Sequence, residues 1–150
     1  MIALPLFLLI FGILELAMVF WLSSLMDNAV NMAARKIRTG QITDPTSATA
    51  QAFKKEICDG VRLLAADCSS KLVVDVRTFG SLSAIDRSAP LVNGVLDPAA
   101  TQFVPGGAND IVLVRAYYRW SAFTPGLTMA LGDQRLITAT TTFRNEPYGT

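Results

Sequence analysis

Hydrophobic and polar residues divide the chain into three stretches with different periods. Residues 1–26 read MIALPLFLLIFGILELAMVFWLSSLM, with Glu15 as the single ionisable side chain. That run exceeds the roughly 18 apolar residues that mark a transmembrane helix. At helical rise it reaches about 39 Å, enough to cross a hydrocarbon core with some tilt. A cleaved secretory signal is the competing reading. Its apolar region is shorter, follows a basic segment and ends at a small-residue site, and Ser23-Ser24-Leu25-Met26 is a poor match. The stretch is therefore read as a retained transmembrane helix, 1–26.

Residues 27–40 (DNAVNMAARKIRTG) keep the helical period but become two-sided. Ser24, Asn28, Asn31, Arg35 and Arg38 recur at intervals of three and four, while Leu22, Met26, Ala29, Val30, Ala33 and Ile37 take the other side. The same helix thus continues as an amphipathic segment that lays one face on apolar partners. Arg35, Lys36 and Arg38 suit a helix C-terminus, and Gly40 is placed to be its left-handed cap.

The third stretch, 41–150, reads as a compact α+β head domain. Residues 46–66 predict a second amphipathic helix, with Ala50, Phe53, Ile57, Val61 and Leu64 at helical spacing and Gly60 weakening its continuity. Residues 71–79, 110–123 and 134–144 are rich in Val, Ile, Thr and aromatics and predict strands. In the middle one, Val112, Val114, Ala116, Tyr118 and Trp120 share a face and Arg115 and Arg119 the other, the pattern of a half-buried strand. No crossover helix separates the later strands, so a small antiparallel sheet packed on the amphipathic helices is the economical fold. Residues 80–109, with Gly, Pro, Ser and Asn and little periodicity, read as a long loop holding at most a short strand.

Composition narrows the chemistry. The chain is 51% hydrophobic and carries 13 Lys and Arg against 12 Asp and Glu, so the cationic surplus a nucleic-acid partner would require is missing. It has no histidine, which removes Ser-His-Asp and Cys-His catalysis and imidazole metal ligands. Asp59, Asp67 and Asp75 offer no convincing acid/base pair, and the chain is read as a non-enzyme with no cofactor. Asp97, Asn109, Asp110 and Asp133 lie near glycines but lack an Asp-x-Asp-x-Asp spacing, so turn capping is preferred to calcium binding and no metal is expected.

Two cysteines, Cys58 and Cys68, flank DGVRLLAAD. An even count, on a domain beyond a membrane anchor, favours a disulfide in an oxidising compartment over two buried free thiols. Glu15 is the sharpest single residue, since an acid inside a membrane helix requires a partner or protonation. Either it faces a neighbouring subunit's helix, or it lies near the outer interface where solvation lowers the cost. Pro5 and Gly12 are tolerated in a membrane helix, where they permit local melting or close helix packing, and Phe20 and Trp21 suit an interfacial aromatic belt.

Taken together, ALPLFLLIFGILELAMVFW at 3–21, with Pro5, Gly12 and Glu15 in the pattern P-L-x-L-L-x-F-G-I-x-E, and AVNMAARKIRTGQ at 29–41 resemble the TadE-like minor pilins, or pseudopilins, of the Tad type IV pilus system. TTFRNEP at 141–147 is similar to that family's C-terminal strand. The resemblance implies a type IV pilin-like fold, packing of the helix against other pilin-like subunits through Pro5, Gly12, Glu15 and Trp21, and the Tad assembly machinery and membrane lipid as partners. It also implies a single-pass protein of the bacterial inner membrane with a periplasmic head, or one that passes into the extracellular pilus. Arg35, Lys36 and Arg38 taken alone favour the opposite orientation. The family's basic leader, Gly and Glu-Phe pair do not precede Ala3, and a start further upstream is expected in preference to an unprocessed member. The alternative function is a single-pass periplasmic sensing module with a pocket in loop 80–109.

Overall fold

A computed structural model describes residues 3–86, 88–92, 95–124 and 134–148. Helix α1, Ala3–Arg38, is one continuous rod that holds both the apolar block and its amphipathic continuation. Its C-terminus is a Schellman cap. Gly40 adopts φ +72°, its N–H donates to the Ile37 carbonyl at 3.0 Å, and the Gln41 N–H donates to Lys36 at 2.9 Å. A side chain at Gly40 would also collide with the Tyr148 ring.

Helix α2, Ser47–Val61, starts at Thr46, whose hydroxyl accepts the Thr49 N–H. It runs antiparallel to α1, with Lys36 paired to Glu56 at 2.7 Å at one end and Gly60 against Ala29 at the other. A Cβ at Gly60 would lie 2.8 Å from that of Ala29, so this glycine marks close helix contact and leaves the helix unbroken. Periodicity carries this helix to Ala66, but it ends at Val61. There the chain turns so that Cys68, at the start of the short helix α3, Cys68–Lys71, comes back to Cys58.

Strands β1 (Leu72–Phe79), β4 (Ile111–Ser121) and β5 (Gln134–Arg144) form an antiparallel sheet in the order β1-β4-β5. Register places Val76 opposite Val114 and Asp75 opposite Arg115 on one side of β4, and Tyr118 opposite Ile137 on the other. The architecture is thus α+β, as the pattern predicts. One sheet face, with Leu72, Val76, Val112, Val114, Ala116, Tyr118, Ile137 and Ala139, packs on Leu22, Met26, Val30, Ile37, Phe53 and Ile57. Each large aliphatic or aromatic side chain buried there contributes about 1.5–3 kcal/mol.

The other face corrects the half-buried reading of β4. Leu113, Arg115 and Tyr117 are buried too, and Ser88, Ala100 and Gln102 of the 80–109 segment reach back to this face to bond Arg115, Arg77 and Asp75. That segment holds a two-residue ladder, β2 (Leu91–Val92) with β3 (Val95–Leu96). It also adds an edge to β1: the Val76 N–H donates to Gln102 and its carbonyl accepts from Val104. The C-terminal tail closes the far end. Asn145 Nδ2 donates to the Pro105 and Gly107 carbonyls, and the Glu146 N–H donates to the Arg38 carbonyl at the end of α1.

Candidate functional site

The candidate functional feature of this chain is helix α1 and the point where the head domain first meets it. From residue 4 to residue 14 the large apolar side chains are exposed, and the first buried side chain of the helix is Glu15. Beyond it, Leu22, Met26, Ala29, Val30, Ala33, Ala34 and Ile37 are buried under α2 and the sheet, while Ser24, Asn28, Asn31, Arg35 and Arg38 remain exposed. The two faces fall where the spacing puts them. By length and composition α1 can cross a membrane.

Glu15 is only 2% exposed, and its carboxylate meets Trp120 at the end of β4 and the two residues Phe123 and Thr124 just beyond it. Its Oε1 accepts the Phe123 N–H at 3.1 Å and, at a longer 3.4 Å, the Trp120 indole N–H; its Oε2 accepts the Thr124 N–H at 2.9 Å. These donors lie more than a hundred residues away in sequence and belong to the same chain. Spacing within α1 shows that Glu15 requires a partner, but only the course of β4 identifies it. Of the other helix residues, Pro5 and Trp21 are exposed, Gly12 is half-buried and Phe20 stands out from the helix.

A second buried carboxylate escaped the sequence reading as a site. Asp75 is fully buried on the outer sheet face. It accepts from Arg115 Nη2 at 2.6 Å, from Arg77 Nε at 3.0 Å and from the Gln102 N–H at 2.9 Å. Arg115 also donates to the Ser88 carbonyl and Arg77 to that of Ala100 at 2.8 Å, so one ion cluster holds the 80–109 segment down. Alternation assigns Arg115 to a polar face; cross-strand register is what makes it Asp75's counter-ion.

Several further carboxylates have structural partners. Asp67 is paired with Lys71 at 2.7 Å and accepts from the Tyr118 hydroxyl at 2.7 Å. The Lys71 hydrogen bond, then that of Tyr118, hold the Asp67 carboxyl below its ordinary pKa. Burial, and then the hydrogen bond to Asp67, push the Tyr118 phenol up. Asp59 is bonded to Lys55 at 3.1 Å. Asp97 accepts the Ala99 N–H and Asp110 the Gly107 N–H, both as turn caps, and Asn109 takes φ 65°. Asp133 lies outside the described residues. Among the described residues no cluster of three metal-ligating side chains occurs.

Cys58 and Cys68 are joined as a disulfide with Cα atoms 5.5 Å apart. It lines a groove of about 530 Å³ together with Lys54, Lys55, Asp59 and Arg62. Residues 98–103 of the long segment border a second, shallower groove of about 300 Å³ beside α2.

No curated protein and no solved structure matches the chain. The family described as TadE-like protein does, over residues 1–35, the stretch that contains the bare apolar run, Glu15 and most of the packed face. Over those residues the N-terminal helix of this chain is thus similar to that of TadE-like proteins.

Proposed function

We propose that the protein is a structural minor pilin of a Tad-type pilus. It is held in the bacterial inner membrane by α1 with its head in the periplasm, and it assembles with other pilin-like subunits to prime or cap the filament. The observation that carries this reading is the coincidence of the TadE-like match with a helix whose first part is apolar and bare while its second part is locked into the head. A rod of that kind presents its uncovered half to lipid before assembly and to sister rods after it. The disulfide suits an oxidising periplasm, which supports the orientation. The head contributes shape and stability without catalysis; its carboxylates at Asp59, Asp67, Asp75 and Asp97 are engaged in ion pairs and caps.

The test is fractionation. Sheared surface filaments from cells expressing the tagged full-length protein should contain it together with the major pilin, and deleting its gene should reduce piliation. Retention of the whole pool in the membrane, with piliation unchanged, would instead match a single-pass sensing module.

A further inference from the structure

The contact between Glu15 and β4 has a consequence for where the bilayer ends, resting on the reading of α1 as a membrane anchor. On the side of α1 away from the head, the exposed apolar surface continues past Glu15 through Leu16 to Phe20, 77% exposed, and Trp21, 51% exposed. Lipid covering that surface reaches Trp21, a residue suited to the interfacial layer. The head meets the helix six residues earlier, at Glu15, which is about 9 Å closer to the membrane centre at helical rise. The end of β4 and the lipid therefore overlap in depth.

Two features of that end fit immersion. Phe123, which donates its N–H to Glu15, is 55% exposed, with its ring edge-on to Trp120 at 6.4 Å between centroids. Backbone N–H groups entering a region poor in water must find internal acceptors, and those of Phe123 and Thr124 both end on the Glu15 carboxylate. An acid in the middle of an apolar helix then has a definite task, since it supplies two oxygens to a strand end that has left water.

We propose that residues 120–124 sit in the interfacial layer of the phospholipid bilayer beside α1, with the Phe123 ring against acyl chains and Glu15 as the acceptor that permits it. The head is thereby fixed in depth and tilt by two points, the helix and the end of β4.

The experiment is tryptophan quenching in the full chain reconstituted into phosphatidylcholine vesicles with or without brominated acyl chains. Phe123→Trp is introduced in a Trp21→Phe background, and the Trp120 signal is subtracted using Trp21→Phe alone. Leu82→Trp, at the opposite end of the sheet, reports the distal pole. The expected result is that emission from position 123 is blue-shifted and loses intensity in brominated vesicles to the same degree as native Trp21, while position 82 is unaffected. If Trp21 is quenched and position 123 is not, the head stands clear of the lipid and the proposal fails while the anchor reading stands. If neither is quenched, the anchor itself is wrong. Equal quenching at 82 and 123 would mean that the head lies flat on the surface, and cross-linking from a photoreactive residue at 123 to a second copy, in place of lipid, would assign the ring to a subunit contact. Each of those two results also overturns the proposal. Retained circular dichroism in Phe123→Trp confirms that the strand end is intact.

Discussion

Glu15 and Asp75 are both carboxylates withdrawn from water, yet they are held in different ways. Asp75 lies between two guanidinium groups and a backbone N–H, so its charge is neutralised within the sheet. Among the described residues Glu15 receives neutral donors, two backbone N–H groups and an indole. The Asp75 cluster fastens one part of the head to another. The Glu15 contact fastens the head to the apolar half of α1, and among the described residues it does so without a cation. Burial alone thus does not tell a fold-stabilising acid from one placed at a functional boundary. The identity of the donors does.

Substitutions that unpair each carboxylate sharpen this contrast. Arg115→Met should have the largest effect, because it leaves Asp75 buried with its principal counter-ion removed. A loss of about 3–5 kcal/mol in the unfolding free energy of the detergent-solubilised protein is expected, and unchanged stability would show that Arg77 alone suffices. Glu15→Leu strands the Phe123 and Thr124 N–H groups at about 1–3 kcal/mol for a buried unsatisfied group, and Glu15→Gln, which keeps one acceptor oxygen, should lose less. Hydrogen exchange at residues 123 and 124 should rise in the Leu variant with the rest of the sheet protected. Equal exchange in both variants would break the assignment.

The partly exposed Asp67 gives the intermediate case and a pH signature. Its folded pKa is lowered, so its contribution is present above the unfolded carboxylate value of about 3.9 and is lost as pH falls through the folded value. Tyr118, with its folded pKa raised, contributes fully below the unfolded phenol value of about 10 and loses that contribution as pH rises beyond it. Tyr118→Phe should cost about 0.5–1.5 kcal/mol at neutral pH and flatten the alkaline limb of the stability profile. The smallest effect belongs to Asp59→Asn, where an exposed pair with Lys55 one helical turn away is worth about 0.3–0.5 kcal/mol. A loss there as large as that at Asp75 would show that exposure does not grade these acids.

Much of the architecture was legible because it depends on local periodicity. The buried and exposed faces of α1 from Leu22 to Arg38, the cap at Gly40 and the three main strands all follow from spacing and residue type. Where that reading stopped short, a distant segment had intervened. Helix α2 ends at Val61, before the return of Cys68 to Cys58, and Arg115 on the second face of β4 is met by Ser88 and by Asp75, itself bonded to Gln102. Gly60, read as a weakness in a helix, is the point where two helices touch.

By itself the order of residues determined that the chain has an apolar rod, an amphipathic continuation and an antiparallel head, because helix and strand periods are imposed by backbone geometry on each segment separately. It also made Glu15 conspicuous, since charge in an apolar run is costly wherever the chain goes. Which atoms answer that charge was decided only when β4 brought residues 120–124 alongside α1. Hydrogen bonds between segments so far apart depend on strand register and helix placement, which no short stretch of sequence encodes.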